Sequence, residues 1–476
     1  MVNVQTCAWP FINVWSTLFI CPEKDSEAIV TVRAEHRADH PLVSGKTLFA
    51  VVLGNGLEIF DFTVYSFFAI WIGQAFFPGD DALTELLYAV GVFGVGFLAR
   101  PIGALVLGRY ADRAGRRAAM SLSILLMAVS TAAIALCPTW ESIGWFAPLL
   151  IVCARLIQGF AAGGEVGAAT AWLLESAPST RLGRRVRWQM VSQGGASMSG
   201  ALCGFGVSHA FDSATLTEWG WRVPFVIGAL IAPLGYYLRR SLPETLPRQL
   251  RPKPLAKQLL RRYALPVVVG SCLTVGQSVT MYIMVFYMPG YLIHLLSYPA
   301  ELSFIIAVLA SFAFAVCAFL GGWIVDRYAK LRTISLAAFT LTALCCLPAF
   351  SIIIHASNSI MIVVVPMIMA GVLGMGVVAT LILILMLFPT QMRATGFAIS
   401  YALANTLFGG TAQFIATALI AETGNVFAPA WYLLACNLIA IAALLILHKY
   451  RPSHQDSAEF NKMTCPVFYR RPNTGE

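Results

Sequence analysis

The stretch CARLIQGFAAGGEVGAATAWLL at residues 153–174 is long and apolar enough to cross a lipid bilayer as one helix. It nevertheless contains two charged residues, Arg155 and Glu165. A charge at the bilayer centre costs about 3 kcal/mol or more, so such residues usually face a protein interior or a water-filled path. We therefore expect a membrane helix whose two charges serve the function of the protein.

The rest of the chain has the same apolar character. Of its 476 residues, 58% are hydrophobic and only 12% are charged, whereas soluble domains average about 25% charged residues. Repeated apolar runs of about 20 residues predict helices, because a helix satisfies its own backbone hydrogen bonds in hydrocarbon. The pattern predicts an all-α integral membrane protein with twelve spans, at about 47–72, 85–108, 118–136, 145–174, 189–210, 221–238, 263–290, 301–325, 333–353, 358–388, 394–420 and 427–447.

Lys and Arg residues lie in the loops on one side of these predicted spans. The opposite loops GQAFFPGDDALT, CPTWESIG and FDSATLTEWG contain none, which predicts that both termini are cytoplasmic. The net charge of +9 is thus mainly a topology signal, with attraction to anionic membrane lipid in addition, and it requires no nucleic-acid partner. The expected organisation is a cytoplasmic segment without fixed structure at 1–45, six-helix bundles at 46–238 and 263–447, a basic loop at 239–262 and a tail at 448–476.

Two short motifs recur on either side of the basic central loop. GRYADR at 108–113 is matched by GWIVDR at 322–327, and PSTRLG at 178–183 by PTQMRATG at 389–396. The similar spacing predicts two homologous halves of about six spans each. Parallel halves around a site near the membrane midplane form a transporter architecture, in which the halves rock to expose the site to either side.

Several motifs in the right order resemble the major facilitator superfamily, and among its members the metabolite:proton symporters. They are GNGLEIFDF, GFLARPIGALVLG, GRYADRAGRR, RLIQGFAAGGEVG and EWGWRVPF, and the resemblance runs from about residue 46 to 447. The segment FPTQMRATGFAISYALANTLFGG is most similar to the citrate and tricarballylate branch. The resemblance implies a twelve-helix fold in two bundles, an inner bacterial membrane and uptake of a small organic anion with protons.

Arg155 is the predicted contact for the anion, since its permanently charged guanidinium can grip a carboxylate through two hydrogen bonds. Gln158 lies one turn further along and can share that role. Arg100 precedes Pro101, which frees a backbone carbonyl and suggests a gating position, with a substrate role equally open. The alternative for Arg155 is a structural ion pair with Glu58 or Asp61.

Glu58 and Asp61 are three residues apart and therefore share one face of the first span. Two close carboxylates in a low dielectric do not both ionise easily, so one of them can load and release a proton. We predict that this pair couples transport to protons, with Glu165 as a third candidate. The alternative is that both carboxylates only neutralise Arg155 and Arg100.

No Lys or Arg lies inside the predicted spans of the second half, so its substrate contacts should be polar and aromatic. The candidates are Gln277 and Tyr282 in the seventh span and Asn405 in the eleventh, joined by Gln193 of the fifth. Many polar residues in membrane helices only bond a neighbouring helix, and that alternative stays open for each of them.

The resemblance also implies a gate at the cytoplasmic ends of the helices. Its residues are Gly108, Asp112, Arg113, Arg116 and Arg117 in the first half, with Asp326 and Arg327 as the second copy. The second copy reads DRYAKLR and lacks the glycine of DRAGRR, which predicts a looser gate. Some of these arginines serve as topology signals alone.

Other functional classes fit the sequence less well. There is no GxxxxGK[ST] loop for ATP, so the proton gradient and membrane potential must supply the energy. Neither a nucleophile–base pair nor a cluster of metal ligands indicates an enzyme, a metal site or a cofactor. A non-transporting sensor would add a soluble domain. We expect a monomeric transporter of citrate or a similar di- or tricarboxylate; 2-oxoglutarate, shikimate and the osmolytes proline or betaine remain alternative substrates.

Overall fold

Helices form every regular element of the residues that the computed structural model describes, namely 45–77, 79, 82–114, 116–163, 166–175, 181–240, 263–355, 359–388 and 393–449. The predicted all-α architecture is therefore confirmed. The predicted segments 1–45 and 239–262 and the tail from 448 lie almost wholly outside these described residues, so those boundaries remain predictions.

The helices of the first half fall where the sequence predicts six spans, to within several residues. Span 1 comprises Gly45–Phe67 and Ala69–Phe76, span 2 Ala82–Leu98 and Arg100–Ala114, span 3 Arg116–Leu136, span 4 Phe146–Gly163 and Val166–Glu175, span 5 Leu182–Ala210 and span 6 Val223–Arg240. Two short helices, Trp140–Ile143 and Ser213–Glu218, and a 3₁₀ turn at Gly220–Arg222 lie in the connections.

The second half repeats this arrangement with two π-helical turns. Span 7 comprises Ala264–Met281, the π-helix Tyr282–Tyr287 and Met288–Leu295; span 8 is Ala300–Tyr328, span 9 Leu331–His355 and span 10 Ser359–Met386; span 11 comprises Arg393–Ala404, the π-helix Asn405–Gly409 and Ala412–Thr423; span 12 is Ala428–Lys449. By length and apolar composition, eight helices in the described part can cross a membrane, or nine with the bent first span. Spans 3, 5 and 6 are shorter or more polar.

Span 1 is bent, which the sequence did not predict. Its two helices meet at 63° at Phe68, although no proline lies there. Beyond the bend, the rings of Phe68 and Trp71 stack on Phe304 of span 8, with centroid distances of 5.8 and 6.2 Å. The bend thus places apolar rings of the first half against the second half, and only tertiary packing favours it.

Glycines allow span 4 to lie directly against span 2. A Cβ atom at Gly159 would overlap the backbone of Gly96, and one at Gly163 would overlap the backbone of Arg100. Small residues at such positions let neighbouring membrane helices approach closely. The close approach brings Arg100 and Arg155 into the same region of the first half.

Spans 5 and 8 pack along their whole lengths and join the two halves. At one end Gly183 lies against the backbone of Gly322, with no room for a Cβ atom. At the other end His209 Nδ1 lies 3.0 Å from Glu301 Oε1, and both side chains are exposed. This interface runs beside a cavity between the halves.

Candidate functional site

A cavity lies between the two halves, lined by residues of spans 1, 5, 7, 8, 10 and 11. We call it the central cavity. Its polar side chains are Gln189, Gln193, Gln277, Ser278, Tyr282 and Tyr401. Three of the predicted substrate contacts, Gln193, Gln277 and Tyr282, therefore meet there. No Lys, Arg, Asp or Glu is among the described residues that line it.

Aromatic rings form much of the wall of the central cavity. They belong to Tyr282, Phe286, Phe314, Phe397 and Tyr401. Behind the wall, Tyr282 packs edge-on against Phe97 of span 2 at a centroid distance of 5.7 Å. The cavity therefore combines amide and hydroxyl groups with aromatic faces, an arrangement typical of small-molecule sites.

Arg100 lies close to the central cavity, separated from it by the side chain of Tyr401. Tyr401 lines the cavity, and its hydroxyl lies near Arg100 and Gln193. Arg100 is buried, with its guanidinium 4.1 Å from the ring centroid of Phe97, and its Nη2 lies 3.6 Å from Glu58 Oε1. The predicted alternative of an ion pair between the two thus has a geometric basis, but it leaves Arg100 next to the cavity.

Arg155 is sealed inside the first half and does not line the central cavity. It is fully buried, and its guanidinium lies 4.2, 4.8 and 5.1 Å from the rings of Tyr65, Phe62 and Phe93. No carboxylate of the described residues forms an ion pair with it. Direct contact with a ligand in the central cavity is therefore not available to Arg155 in this conformation.

Arg155 is instead connected to Asp61 by a chain of hydrogen bonds. Its Nη1 donates to Gln158 Oε1 over 2.6 Å, Gln158 Nε2 donates to Thr131 Oγ1 over 2.9 Å, and Thr131 Oγ1 donates to Asp61 Oδ2 over 2.6 Å. All four side chains are buried. Sequence reasoning missed Thr131, because most threonines in helices bond only their own helix and nothing marks this one as different.

A second cavity lies within the first half, among spans 1, 3, 4 and 6. Glu58 and Asp61 both line it, so the prediction that they share one helix face is confirmed. The other walls are apolar or small, apart from Ser123. Glu165, the third carboxylate candidate, lies outside the described residues.

The second half has a corresponding small cavity among spans 7, 9, 10 and 12. Its polar residues are Gln277, Thr280, Thr342, Thr380 and Asn437, and no charged side chain of the described residues lines it. Asn437 Nδ2 donates to Thr280 Oγ1 over 3.2 Å. Gln277 lines this cavity and the central cavity alike.

Asn405 lies at the start of the π-helical turn in span 11. Its Nδ2 donates to the Tyr401 carbonyl over 2.9 Å, and its buried Oδ1 has no hydrogen-bond partner among the described residues. The same oxygen lies beside Gly409, which in turn faces Tyr282. Asn405 is therefore close to the site but does not line the central cavity.

Asp326 joins the two halves at the end of span 8, where the sequence predicts a gate. Its carboxylate accepts hydrogen bonds from the backbone N–H groups of Gly183 and Arg184, over 2.7 and 3.0 Å. These groups begin span 5, so the anion caps a helix N-terminus. Arg327 is exposed. The side chains of the first copy, Gly108, Asp112, Arg113, Arg116 and Arg117, lie outside the described part of the structure.

Span 2 contacts span 11 through a bond that Pro101 makes possible. Proline cannot donate to the carbonyl four residues earlier, which is that of Phe97. The hydroxyl of Thr406 in span 11 donates to this carbonyl over 2.9 Å. Ser66, Phe286 and Gln413 form another such link, because Gln413 donates to Ser66 and Ser66 donates to the Phe286 carbonyl.

The family model described as Major Facilitator Superfamily matches residues 51–412. This chain belongs to the major facilitator superfamily. Its fold is therefore twelve spans in two six-helix bundles in a multi-pass membrane protein, and the predicted class, a transporter and not an enzyme, is confirmed.

Similar proteins with named substrates support the predicted resemblance to metabolite:proton symporters. The citrate-proton symporter of Klebsiella pneumoniae is 33% identical over 407 residues, covering 84% of this chain and 91% of the relative. The alpha-ketoglutarate permease of Escherichia coli K12 is 35% identical, with coverages of 87% and 97%, and the proline/betaine transporter of that strain is 30% identical, with coverages of 83% and 82%.

A solved structure confirms the fold independently. The xylose transporter XylE from E. coli, in a partially occluded inward-open conformation, superposes with a TM-score of 0.68 at 16% identity, covering 86% of this chain and 97% of that one.

Proposed function

We propose that this protein takes up a small organic anion of the citrate class, a di- or tricarboxylate, together with protons, by alternating access of the central cavity. The observation that supports this proposal is that neutral and charged groups lie in different places. Neutral hydrogen-bond donors line the central cavity, and the cation Arg100 lies behind Tyr401. The carboxylates of Glu58 and Asp61 line a separate cavity in the first half.

The anion is expected to bind among Gln193, Gln277, Tyr282 and Tyr401. Amide and hydroxyl donors satisfy carboxylate oxygens, and a buried unsatisfied oxygen would cost about 1–3 kcal/mol. Arg100 supplies positive charge from behind Tyr401. Rotation of the Tyr401 ring would expose the guanidinium to a carboxylate, which makes a charge-assisted hydrogen bond about twice as strong as a neutral one.

Glu58 and Asp61 are the proposed proton carriers. Each lies within the membrane region and lines the same cavity, away from the anion. A proton taken up there cancels one negative charge in the first half. Loss of that charge leaves the buried arginines in excess and so favours an anion in the central cavity.

Uptake of a zwitterionic osmolyte such as betaine is the second candidate. The aromatic wall formed by Tyr282, Phe286, Phe314, Phe397 and Tyr401 favours it, because aromatic faces attract quaternary ammonium groups. The similarity to a proline/betaine transporter supports the same candidate, whereas the greater similarity to citrate and alpha-ketoglutarate relatives supports the first.

The proposed orientation in the bacterial inner membrane places both termini in the cytoplasm. The basic loops support it through the positive-inside rule. Asp326 and Gly183 then lie at the cytoplasmic end of the interface between the halves, and His209 and Glu301 at the opposite end. The proposed working unit is the monomer, since the central cavity is enclosed by one chain.

The test is uptake of labelled citrate into proteoliposomes under an imposed inward proton gradient, with 2-oxoglutarate, shikimate, proline and betaine in parallel. We expect carboxylate uptake that an uncoupler abolishes. Tyr401→Phe should raise the KM for the anion, while Tyr88→Phe, the same change at an exposed tyrosine of span 2, serves as the matched control and leaves it unchanged. Uptake of betaine without any carboxylate would support the second candidate, and carboxylate uptake that ignores the proton gradient would refute coupling.

A further inference from the structure

Gln158 and Thr131 occupy a position between a buried cation and a buried carboxylate. The end groups are Arg155 and Asp61, which make no direct ion pair in the structure. Two neutral side chains, each fully buried or nearly so, fill the gap with bonds of 2.6, 2.9 and 2.6 Å. Neither Gln158 nor Thr131 lines the central cavity, so neither is placed to touch a ligand there.

Every bond in this chain is donated in the same direction. The guanidinium can only donate, so the amide oxygen of Gln158 must face Arg155 and its amide nitrogen must face Thr131. The Thr131 hydroxyl, having accepted from Gln158, donates its hydrogen to Asp61. The dipoles therefore align, with their positive ends toward the carboxylate, and such a chain stabilises Asp61 when it is ionised.

We propose that Gln158 and Thr131 are positioning residues for proton coupling, which transmit the charge of Arg155 to Asp61 through this oriented chain. The inference rests on the proposed function, because it specifies how the proposed proton carrier is controlled. It also reassigns Gln158, which the sequence suggested as a contact for the anion.

The charges around Asp61 come from few elements. Span 1 contributes Glu58 one turn away, span 4 contributes Arg155, and span 2 contributes Arg100, which pairs with Glu58. The described residues of spans 3 and 6 that face Asp61 are uncharged, namely Thr131 and Gly228. Arg155 is thus the cation joined to Asp61 by hydrogen bonds, and the chain is the connection to interrupt.

The proton step follows from the two oxygens of Asp61. Oδ2 accepts from Thr131, and Oδ1 lies beside Gly228 at the wall of the first-half cavity. A proton from water binds Oδ1 and converts the carboxylate to a neutral acid; on release it returns to water on the other side. The Thr131 bond is charge-assisted before protonation and neutral afterwards, so it weakens when the proton binds. Arg155 then loses its connection to an anion.

Proton-driven uptake by Thr131→Val, Thr131→Ser and Gln158→Met, measured against pH, tests this directly. Valine removes the hydroxyl at similar volume, serine keeps it, and methionine keeps the length of Gln158 without its amide. The matched control is Ser130→Ala, because the Ser130 hydroxyl bonds only carbonyls of its own helix, those of Leu126 and Met127. Exchange of labelled for unlabelled substrate without a gradient shows that each variant is folded.

The pH at which uptake is half-maximal should rise by about one pH unit in Thr131→Val and Gln158→Met, because the ionised form of Asp61 loses one charge-assisted bond. Thr131→Ser and Ser130→Ala should follow the wild type. The double variant should shift no further than the larger single shift, since both changes interrupt one chain.

An unchanged pH profile in Thr131→Val and Gln158→Met, with normal exchange, would overturn the proposal. Equal shifts in Ser130→Ala would also overturn it, since the effect would then be general to span 3. Wild-type uptake that does not respond to the proton gradient is a different result, because it contradicts the proposed function itself. If valine at position 131 abolishes exchange, Gln158→Met against wild type still decides the question.

Discussion

The two halves of the molecule build the same cavity with opposite chemistry. Spans 1, 3, 4 and 6 surround a cavity that carries Glu58 and Asp61, whereas the described residues of the corresponding spans 7, 9, 10 and 12 that line the second cavity are uncharged. In both cases polar residues three apart face the cavity from its first span, and in the second half these are Gln277 and Thr280. One scaffold thus supports a cavity with titratable carboxylates in the first half and, among the described residues, an uncharged cavity in the second.

Burying the carboxylates of the first-half cavity has a high cost in desolvation free energy. Removing an ion from water costs several kcal/mol even after relaxation, and only close partners offset that cost. Arg100 and Glu58 lie 3.6 Å apart, and Arg155 reaches Asp61 through the hydrogen-bond chain. The neutral half needs only ordinary hydrogen bonds. The proposed proton carriers thus lie in the first half, whereas Gln277, Ser278 and Tyr282 of the second half line the central cavity, where the substrate is proposed to bind.

The largest effect should come from breaking the ion pair of the charged half. Arg100→Gln should reduce the free energy of unfolding by about 3–5 kcal/mol, because it removes the cation that lies 3.6 Å from the buried carboxylate of Glu58. Thermal unfolding in detergent measures this. The double variant Arg100→Gln/Glu58→Gln should recover much of the loss; equal stability of the single and double variants would argue against the pairing.

Replacing Asp61, a proposed proton carrier, tests whether the cavities of the two halves differ in function. Asp61→Asn should reduce gradient-driven accumulation at least about 100-fold, since a positioned proton-transfer group contributes roughly that much. Exchange across a membrane without a gradient should persist. Thr280→Val, at the corresponding place in the neutral half, is the control and should retain accumulation; a comparable loss there would mean that both halves handle protons.

Weakening the contact between Asp326 and span 5 should have a moderate effect. Asp326→Asn removes the anion from a helix N-terminus, which is worth about 1–2 kcal/mol in a partly buried position. We expect the protein to spend more time open at that end, seen as faster labelling of a cysteine introduced at Gln193 from the same side. Asp112→Asn in the first copy provides the comparison between halves, and no change in either variant would exclude a gating role.

The smallest effect should come from the neutral cavity. Asn437→Leu loses one bond to Thr280 and should change the free energy of unfolding by about 1 kcal/mol. The pH dependence of uptake should match the wild type, because no titratable group lines this cavity in the described part of the chain. A shifted pH profile in this variant would show that the two halves are not chemically separate.

The helices could be predicted from the sequence because apolar runs of bilayer length have few other uses. The bend at Phe68 and the π-helical turns at Tyr282–Tyr287 and Asn405–Gly409 could not. Neither glycine nor proline marks Phe68, and stacking on Phe304 from another part of the chain favours the bend. Such features depend on packing partners hundreds of residues away, which local patterns do not contain.

Sequence analysis identified the chemistry of the site better than its geometry. Gln193, Gln277 and Tyr282 were predicted because polar residues inside apolar spans are rare, and they do line the central cavity. Arg155 was recognised for the same reason, but its distance from the cavity depends on rings contributed by spans 1 and 2. Tyr401 and Thr131 were missed, because each becomes informative only through its contacts with residues of other spans.

The acceptor of the hydrogen bond between Thr406 and the Phe97 carbonyl cannot be removed by a side-chain substitution. This acceptor is a main-chain oxygen, so no substitution at position 97 can remove it, and Pro101 has no N–H to donate to it. When the halves separate, this oxygen loses Thr406 and must be hydrated. Opening of the span 2–span 11 contact therefore requires water to enter between the helices, which ties the motion of the halves to wetting of their interface.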